Sequence, residues 1–259
     1  MFDYRGLHDM AFLALYWGAG LLALLAAVYL LLRRRNLLMR EYGPGSMTMR
    51  TAAGEVVRYG RARRSSPRLR RWTAAFLLTA ALSHVWWYGV GQWCLVDDWL
   101  VRTITVILLD HSTLVPLLMG VLLAMLQDRR RPLWPWLLVQ VPVAMFGVMG
   151  ILRRDWFCGY TLAHYWQLGV CAVFVTYYIY ALRQHGRWLL DNYADLEHKQ
   201  VWQSLALALV FFAIYGLYTS NMGEISREYL SQLLTVILVA FLVWRAETLQ
   251  ELSDGGPPG

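Results

Sequence analysis

Residues 10–32 read MAFLALYWGAGLLALLAAVYLLL and contain no charged side chain. An apolar stretch of about 20 residues is long enough, as a helix, to cross the roughly 30 Å hydrocarbon core of a bilayer. Across the whole chain 58% of the residues are hydrophobic and 16% are charged, whereas about 25% are charged in an ordinary soluble domain. The composition therefore excludes a soluble enzyme, a nucleic-acid-binding domain and a disordered chain.

Six further apolar blocks of similar length follow the first one. Because unpaired backbone N–H and C=O groups are costly in lipid, each block that crosses the membrane must be helical. The sequence therefore predicts an all-α membrane protein, a bundle of seven transmembrane helices that forms one domain over residues 1–252. The tail 253–259, SDGGPPG, has the composition of a flexible linker. The predicted spans are 10–32, 72–91, 103–126, 133–151, 163–182, 201–219 and 229–244.

Basic residues are distributed unequally between the two sides of the predicted bundle. Of the 24 Lys and Arg residues, 19 fall on the side that holds loops 33–71, 127–132 and 183–200 and the C-terminal tail, and 5 fall on the other side. The positive-inside rule then places the N-terminus outside and the C-terminus in the cytoplasm. We expect the Arg-rich loop 33–71 to lie against the inner leaflet of the lipid bilayer and to contact anionic lipids there.

The chain has three cysteines, at positions 94, 158 and 171. Cys94 and Cys158 fall in the two predicted external loops, in a compartment where disulfides persist. We predict a disulfide between them, which would join the loop after span two to the loop before span five. The alternative is a pair of free thiols. Cys171 falls inside span five, where a small hydrophobic core residue is expected.

Four ionisable residues lie inside the predicted spans, where such groups are costly and are candidates for function. They are His84 in span two, Asp110 and His111 in span three, and His164 at the start of span five. All four fall in the outer half of the membrane, so we predict that they share a ligand pocket for a small molecule of unknown identity. A metal or haem site made of the same residues is one alternative. Isolated histidines that bond to neighbouring carbonyls are another, and no cofactor is predicted.

Residues 189–202, LLDNYADLEHKQVW, are the most distinctive stretch of the chain. They resemble the loop between spans five and six of bacterial membrane-anchored transcriptional regulators of the AraC helix-turn-helix type. The opening 2–10, FDYRGLHDM, and the segment 244–253, WRAETLQELS, look similar to the corresponding parts of those proteins.

The resemblance covers the membrane part only. It implies a non-enzymatic sensor module in the bacterial inner membrane, the input half of a one-component transcriptional regulator. In such regulators a DNA-binding domain follows the last span. This sequence stops at Gly259, so contact with DNA is expected only through a further C-terminal domain, and a homodimer is left open.

The loop 183–200 is the predicted place of signal transfer, because it is short, joins two spans and mixes apolar with charged residues. A helical conformation would put Leu189, Tyr193 and Leu196 on one face, although an ordinary turn fits the sequence as well. Two other function classes also stay open: a membrane enzyme or redox protein that uses the His/Asp residues, and a small transporter. The polar residues assigned to signal transfer are Asp191, Tyr193, Asp195, Glu197 and His198.

Overall fold

The computed structural model describes residues 7–32, 47–50, 56–59, 66–93, 98–192, 201–206, 209, 224–249 and 252. Apart from a β-hairpin and short connections, these residues are helical. The hairpin pairs β1 (Met47–Arg50) with β2 (Val56–Tyr59) in antiparallel register and lies within the Arg-rich loop. The helices are α1 (Leu7–Leu32), α2 (Pro67–Trp93), α3 (Trp99–Met125), α4 (Trp134–Leu138), α5 (Val141–Arg153), a π-helix (Phe157–Leu162), α6 (Ala163–Asn192) and α7 (Glu224–Thr248).

Five helical segments of the described residues are long and apolar enough to cross a membrane, which confirms a helical membrane protein. They correspond to predicted spans one, three, four, five and seven. Helix α2, the second predicted span, is not among them although it has 27 residues, because polar and amphipathic side chains such as Ser83 and His84 lower its hydropathy. Span six, 201–219, lies mostly outside the described residues. The five segments are Met10–Leu32, Leu100–Met125, Trp134–Arg153, Phe157–Asn192 and Tyr229–Thr248.

Helices α1, α2 and α7 contact one another, and α3 joins them to α5 and α6. Small residues allow the close approach of α1 to its neighbours: Ala23 and Ala27 are completely buried. A Cβ atom on Gly20 would lie 3.0 Å from His84 Cγ of α2. The apolar core therefore runs along the shared faces of these helices, and the bundle leaves many large apolar side chains exposed on its outside, as lipid contact requires.

Span four is interrupted in the middle, where α4 ends at Leu138 and α5 begins at Val141. Pro142 explains the interruption, because proline lacks the N–H that an unbroken helix needs and its ring clashes with the carbonyl four residues earlier. The break exposes backbone carbonyls, and the Val139 carbonyl accepts a hydrogen bond from Trp166 Nε1 at 2.9 Å. The break in span four is thus tied to α6.

A tight connection joins α5 to α6 at the predicted outer end of the bundle. Arg154 ends α5 in the left-handed conformation, with φ 51°. Gly150 and Gly159 meet so closely that a Cβ atom on Gly150 would lie 2.1 Å from the Gly159 Cα atom. Only glycines permit this approach of α5 to the π-helix.

Helix α6 continues through Asn192, ten residues beyond the predicted end of span five at 182. The first part of the predicted loop 183–200 is therefore helical, and Leu189 is buried while Asp191 is exposed. Tyr193, Asp195, Glu197 and His198 lie outside the described residues, so their role in signal transfer stays a prediction.

Candidate functional site

The Asp110 carboxylate of α3 is the centre of a polar network in the predicted outer half of the membrane. Ser83 Oγ and Trp86 Nε1 donate hydrogen bonds to its Oδ1 atom at 2.7 and 2.9 Å. Trp87 Nε1 donates to Oδ2 at 2.5 Å. Three donors from one stretch of α2 thus satisfy a half-buried carboxylate, and they attach the outer end of α2 to α3.

His84 follows Ser83 directly, but its ring contacts α1 and α7 and not the Asp110 carboxylate. Its Nδ1 atom lies 2.8 Å from the Ala80 carbonyl, and its Nε2 atom lies 3.0 Å from Gln232 Oε1 of α7. Because a carbonyl only accepts, Nδ1 carries a proton. Gln232 Oε1 can only accept, so this contact needs a proton on Nε2 as well, or a Gln232 amide turned about so that its nitrogen donates to Nε2.

Tyr16 of α1 completes the contacts of His84. The Tyr16 hydroxyl donates to the His84 carbonyl oxygen at 2.6 Å, and the two rings lie 4.7 Å apart. His84 therefore connects three helices, α1, α2 and α7, at one level of the membrane.

His111 and His164 approach each other between α3 and α6. Their ring centroids are 6.3 Å apart, and the His164 ring stacks on Tyr160 at 5.7 Å. His111 Nδ1 donates to the Ile107 carbonyl at 2.8 Å. The pair is enclosed by aromatic rings at the outer end of α6.

The four residues of the predicted pocket therefore lie in three polar settings: the carboxylate cradle on α2, the His84 connection to α7, and the His111–His164 pair. The bonds of His84 and His111 to carbonyls four residues earlier agree with the alternative of locally satisfied histidines. Among the described residues, no group of three or more His, Cys, Asp or Glu side chains is arranged to hold a metal ion. A shared ligand pocket stays a prediction.

Of the two cysteines in the predicted disulfide, one lies among the described residues. Cys158 is a buried free thiol in the π-helix, and Cys94 lies outside the described residues. The structure therefore does not support the bridge. Cys171 is a buried free thiol in the core of α6, as the sequence predicts.

A buried ion pair at the predicted inner end of the bundle was missed from the sequence. Arg70, in the first turn of α2, places Nη1 2.7 Å from Glu247 Oε1 near the end of α7, and the two side chains are 9% and 1% exposed. Arg70 Nη2 also lies 3.5 Å from the Leu30 carbonyl oxygen of α1. The same three helices that meet at His84 thus meet again at Arg70.

The segment that follows α7 is attached to the inner end of the bundle. Gln127, just after α3, accepts a hydrogen bond from the Leu252 backbone N–H at 2.8 Å. Leu249 and Leu252 are both buried, with 0% and 7% exposure. The exit of α7 is therefore held by the ion pair, by Gln127 and by apolar contacts. We call Arg70, Glu247, Gln127, Leu249 and Leu252 the exit cluster.

A second polar cluster lies beside the exit of α3. Arg131 donates two parallel hydrogen bonds to Asp128, at 2.5 and 2.8 Å, and His185 Nδ1 of α6 lies 3.4 Å from the same carboxylate. Burial by itself raises the pKa of Asp128. The nearby His185 ring, together with the hydrogen bonds and positive charge of Arg131, outweighs burial and holds the pKa of Asp128 well below its ordinary range.

No family model, curated protein or solved structure matches this chain. Function is therefore argued from the geometry of the polar networks.

Proposed function

We propose that the protein is a non-enzymatic membrane sensor module that carries a stimulus from the outer half of the membrane to the cytoplasmic face. The observation that carries this proposal is the double connection between α2 and α7. His84 bonds to Gln232 at the outer level, and Arg70 bonds to Glu247 at the inner level. Two helices joined at both ends by specific polar contacts move together.

The spacing of the two connections supports a continuous mechanical link. Arg70 and His84 are 14 residues apart on α2, and Gln232 and Glu247 are 15 residues apart on α7. At 1.5 Å per residue these separations are about 21 and 22.5 Å. The similar lengths agree with antiparallel helices in register, with apolar residues such as Leu77 and Leu242 buried between the two levels.

The direction of transfer follows from where α7 leads. A displacement of α7 at Gln232 would reach the exit cluster, which the predicted orientation puts at the cytoplasmic face. A stimulus must bind two arrangements of these helices with different affinities in order to shift them. The hydrogen bonds of Asp110 to α2 and of His84 to Gln232 each join two helices, so these contacts would differ between two such arrangements.

The remaining parts of the proposal rest on the sequence. Seven spans with an external N-terminus, location in the bacterial inner membrane and contact of loop 33–71 with anionic lipids agree with the distribution of arginines. The resemblance of residues 189–202 to AraC-type membrane-anchored regulators supports an output on transcription through a DNA-binding domain beyond Gly259. A homodimer would fit such a regulator, since these DNA sites are commonly read by dimers.

The link between the two ends is tested by electron paramagnetic resonance in lipid nanodiscs. Spin labels at Arg130→Cys and Thr248→Cys, in a background without the native cysteines, report the distance between the exits of α3 and α7. We expect His84→Leu at the outer level to shift this distance by about 1–2 Å, the size of typical helix displacements.

Tyr165→Phe is the matched control, because Tyr165 is an exposed aromatic residue at the same outer end, on α6. It should leave the inner distance unchanged. If the distance between the labels at positions 130 and 248 does not change in His84→Leu, or changes equally in both variants, the α2–α7 link is refuted.

The output part of the proposal has a separate test. The genomic reading frame beyond the codon for Gly259 should continue into a helix-turn-helix domain. A stop codon there would refute the one-component form of the regulator, and the signal would then need a partner protein at the exit cluster.

A further inference from the structure

Two buried glutamine amides lie at the interface of span four with α6. The Gln140 side chain is 6% exposed, and neither its Nε2 nor its Oε1 atom has a hydrogen-bond partner in the part of the chain that the structure describes. Gln167 is completely buried. Its Nε2 atom lies 3.7 Å from Cys171 Sγ, a weak contact, and its Oε1 atom is unpaired among the described residues.

Both amides lie at depths that the hydrocarbon core of the bilayer covers. Gln140 is seven residues from the start of span four at 133, which corresponds to about 10 Å along a helix, and Gln167 is ten residues from Phe157, about 15 Å. At such depths bulk water is absent, so an unpaired amide is a considerable loss of free energy. Three buried polar atoms without a partner among the described residues indicate that a polar molecule belongs there.

The helices place the two amides at a common interface. Gln140 precedes Val143, Gly147 and Gly150 at spacings of three and four residues, and these are the buried residues of α5. Gln167 belongs to the buried face of α6, which is in contact with α5. The hydrogen bond from Trp166 to the Val139 carbonyl joins the residues immediately before each amide. Both buried faces also meet α3, where Gly147 approaches Leu108 and His164 approaches His111, so Gln140 and Gln167 lie at the same level of the region between α3, α5 and α6.

The Gln140 amide takes no part in the backbone hydrogen bonding at the interruption of span four. Gln140 stands directly before α5, yet its side chain makes no capping hydrogen bond. Trp166 already satisfies the neighbouring carbonyl. The amide of Gln140 therefore has both its donor and its acceptor available, and Gln167 adds a second acceptor.

We infer that Gln140 and Gln167 form a binding site inside the membrane for a small uncharged molecule with both a hydrogen-bond donor and an acceptor, of the carboxamide or alcohol class. The molecule's acceptor takes the Gln140 Nε2 hydrogens, and its donor serves the amide oxygens. Both side chains are neutral, so an ion would enter without a compensating charge. A membrane-permeant molecule of this class reaches the site through the lipid. The site goes beyond the sensor proposal, since it stands whether or not the chain transmits a signal.

The test measures binding of tritiated hexanamide to the full chain in nanodiscs, against empty nanodiscs. We expect saturable binding that unlabelled hexan-1-ol displaces, while hexanoate and hexylammonium do not. Gln140→Met and Gln167→Met keep an unbranched side chain of similar size without the amide. Each should lower the affinity about tenfold, the effect of one lost hydrogen bond.

Gln184→Met is the matched control. Gln184 is also on α6, but its amide is already bonded to Arg129 and to the Tyr180 hydroxyl, so hexanamide affinity should stay unchanged. Circular dichroism checks the fold of each variant. Should a Met variant fail to fold, Gln140→Asn and Gln167→Asn keep the amide but retract it, and the same loss of affinity is expected.

Two results would overturn the inference. Hexanamide that shows no saturable binding up to its solubility limit would mean that buried water alone occupies the amides. Saturable binding that survives all the variants at positions 140 and 167 would place the hexanamide site elsewhere.

Discussion

Replacing Glu247 with leucine should destabilise the protein strongly, because it removes the Glu247 carboxylate from its buried ion pair with the Arg70 guanidinium. Both side chains are nearly excluded from solvent, at 9% and 1% exposure, and their charged atoms lie 2.7 Å apart. Removing one partner of a buried pair typically costs about 3–5 kcal/mol. The contact of Arg70 with the Leu30 carbonyl at 3.5 Å is long, so it compensates for little of this loss.

The double variant Arg70→Leu/Glu247→Leu separates the two contributions to that loss. Replacing both charges by apolar side chains of similar volume is often neutral, or stabilises by about 1–4 kcal/mol. We therefore expect the double variant to be more stable than Glu247→Leu alone. A mutant cycle with both single variants then gives the coupling energy of the pair.

The assay is equilibrium unfolding of the detergent-solubilised protein, followed by far-ultraviolet circular dichroism. Arg154→Gln serves as the control, because the Arg154 side chain is 77% exposed and its contact with Asp98, at 3.4 Å, lies at the surface. Its free energy of unfolding should change by no more than about 1 kcal/mol. A Glu247→Leu variant that is as stable as this control would refute the reasoning that the pair fixes the exit of α7.

Three further predictions concern single positions. Gly150→Ala forces α5 away from Gly159 and should lower the free energy of unfolding by about 1–3 kcal/mol or more, whereas Gly169→Ala, which meets nothing within 4 Å, should not lower it in the same denaturation assay. Asp110→Asn keeps the shape of the side chain but weakens the three hydrogen bonds from α2. The protein should therefore unfold at a lower temperature, with a loss of about 1–3 kcal/mol in the free energy of unfolding. An unchanged unfolding temperature would contradict the role of these hydrogen bonds in holding α2 on α3. Asp128 has a lowered pKa, so its stabilisation is full above the ordinary carboxyl pKa of about 4 and is lost as the pH falls from there toward the lower folded-state value. The stability difference between the native chain and Asp128→Asn should therefore shrink as the pH falls below about 4. A difference that grows as the pH falls below about 4 would contradict the lowered pKa of Asp128.

The membrane-spanning segments could be predicted because they depend on local composition. A block such as 103–126 is apolar over its whole length, and the structure has α3 there. The ends were harder to predict: α6 continues ten residues past 182, since Leu189 is buried against the bundle, and burial is not a local property. The interruption of span four at Gln140 could be predicted from Pro142. The hydrogen bond that Trp166 of α6 makes to the Val139 carbonyl there could not, because it depends on another helix.

The candidate site was predictable only as a set of residue types. Costly polar residues in a span, such as Asp110 and His84, stand out in a sequence because lipid offers them no partner. Their partners do not stand out. Trp86 and Trp87 look like ordinary interfacial aromatics, yet their indole N–H groups hold Asp110.

The sequence by itself determined that this chain is a helical membrane protein, because each apolar block needs only its own residues to form a hydrogen-bonded helix. The start of each apolar block can likewise be located from neighbouring positions in the sequence. The same holds for the residues that are too polar for lipid. The tertiary structure decided which polar groups pair. Arg70 and Glu247 are 177 residues apart and meet only because α2 and α7 run antiparallel with matched lengths. That three atoms of the Gln140 and Gln167 amides lack a partner among the described residues also emerges only from the packed structure, since whether a side chain finds a partner depends on every helix around it.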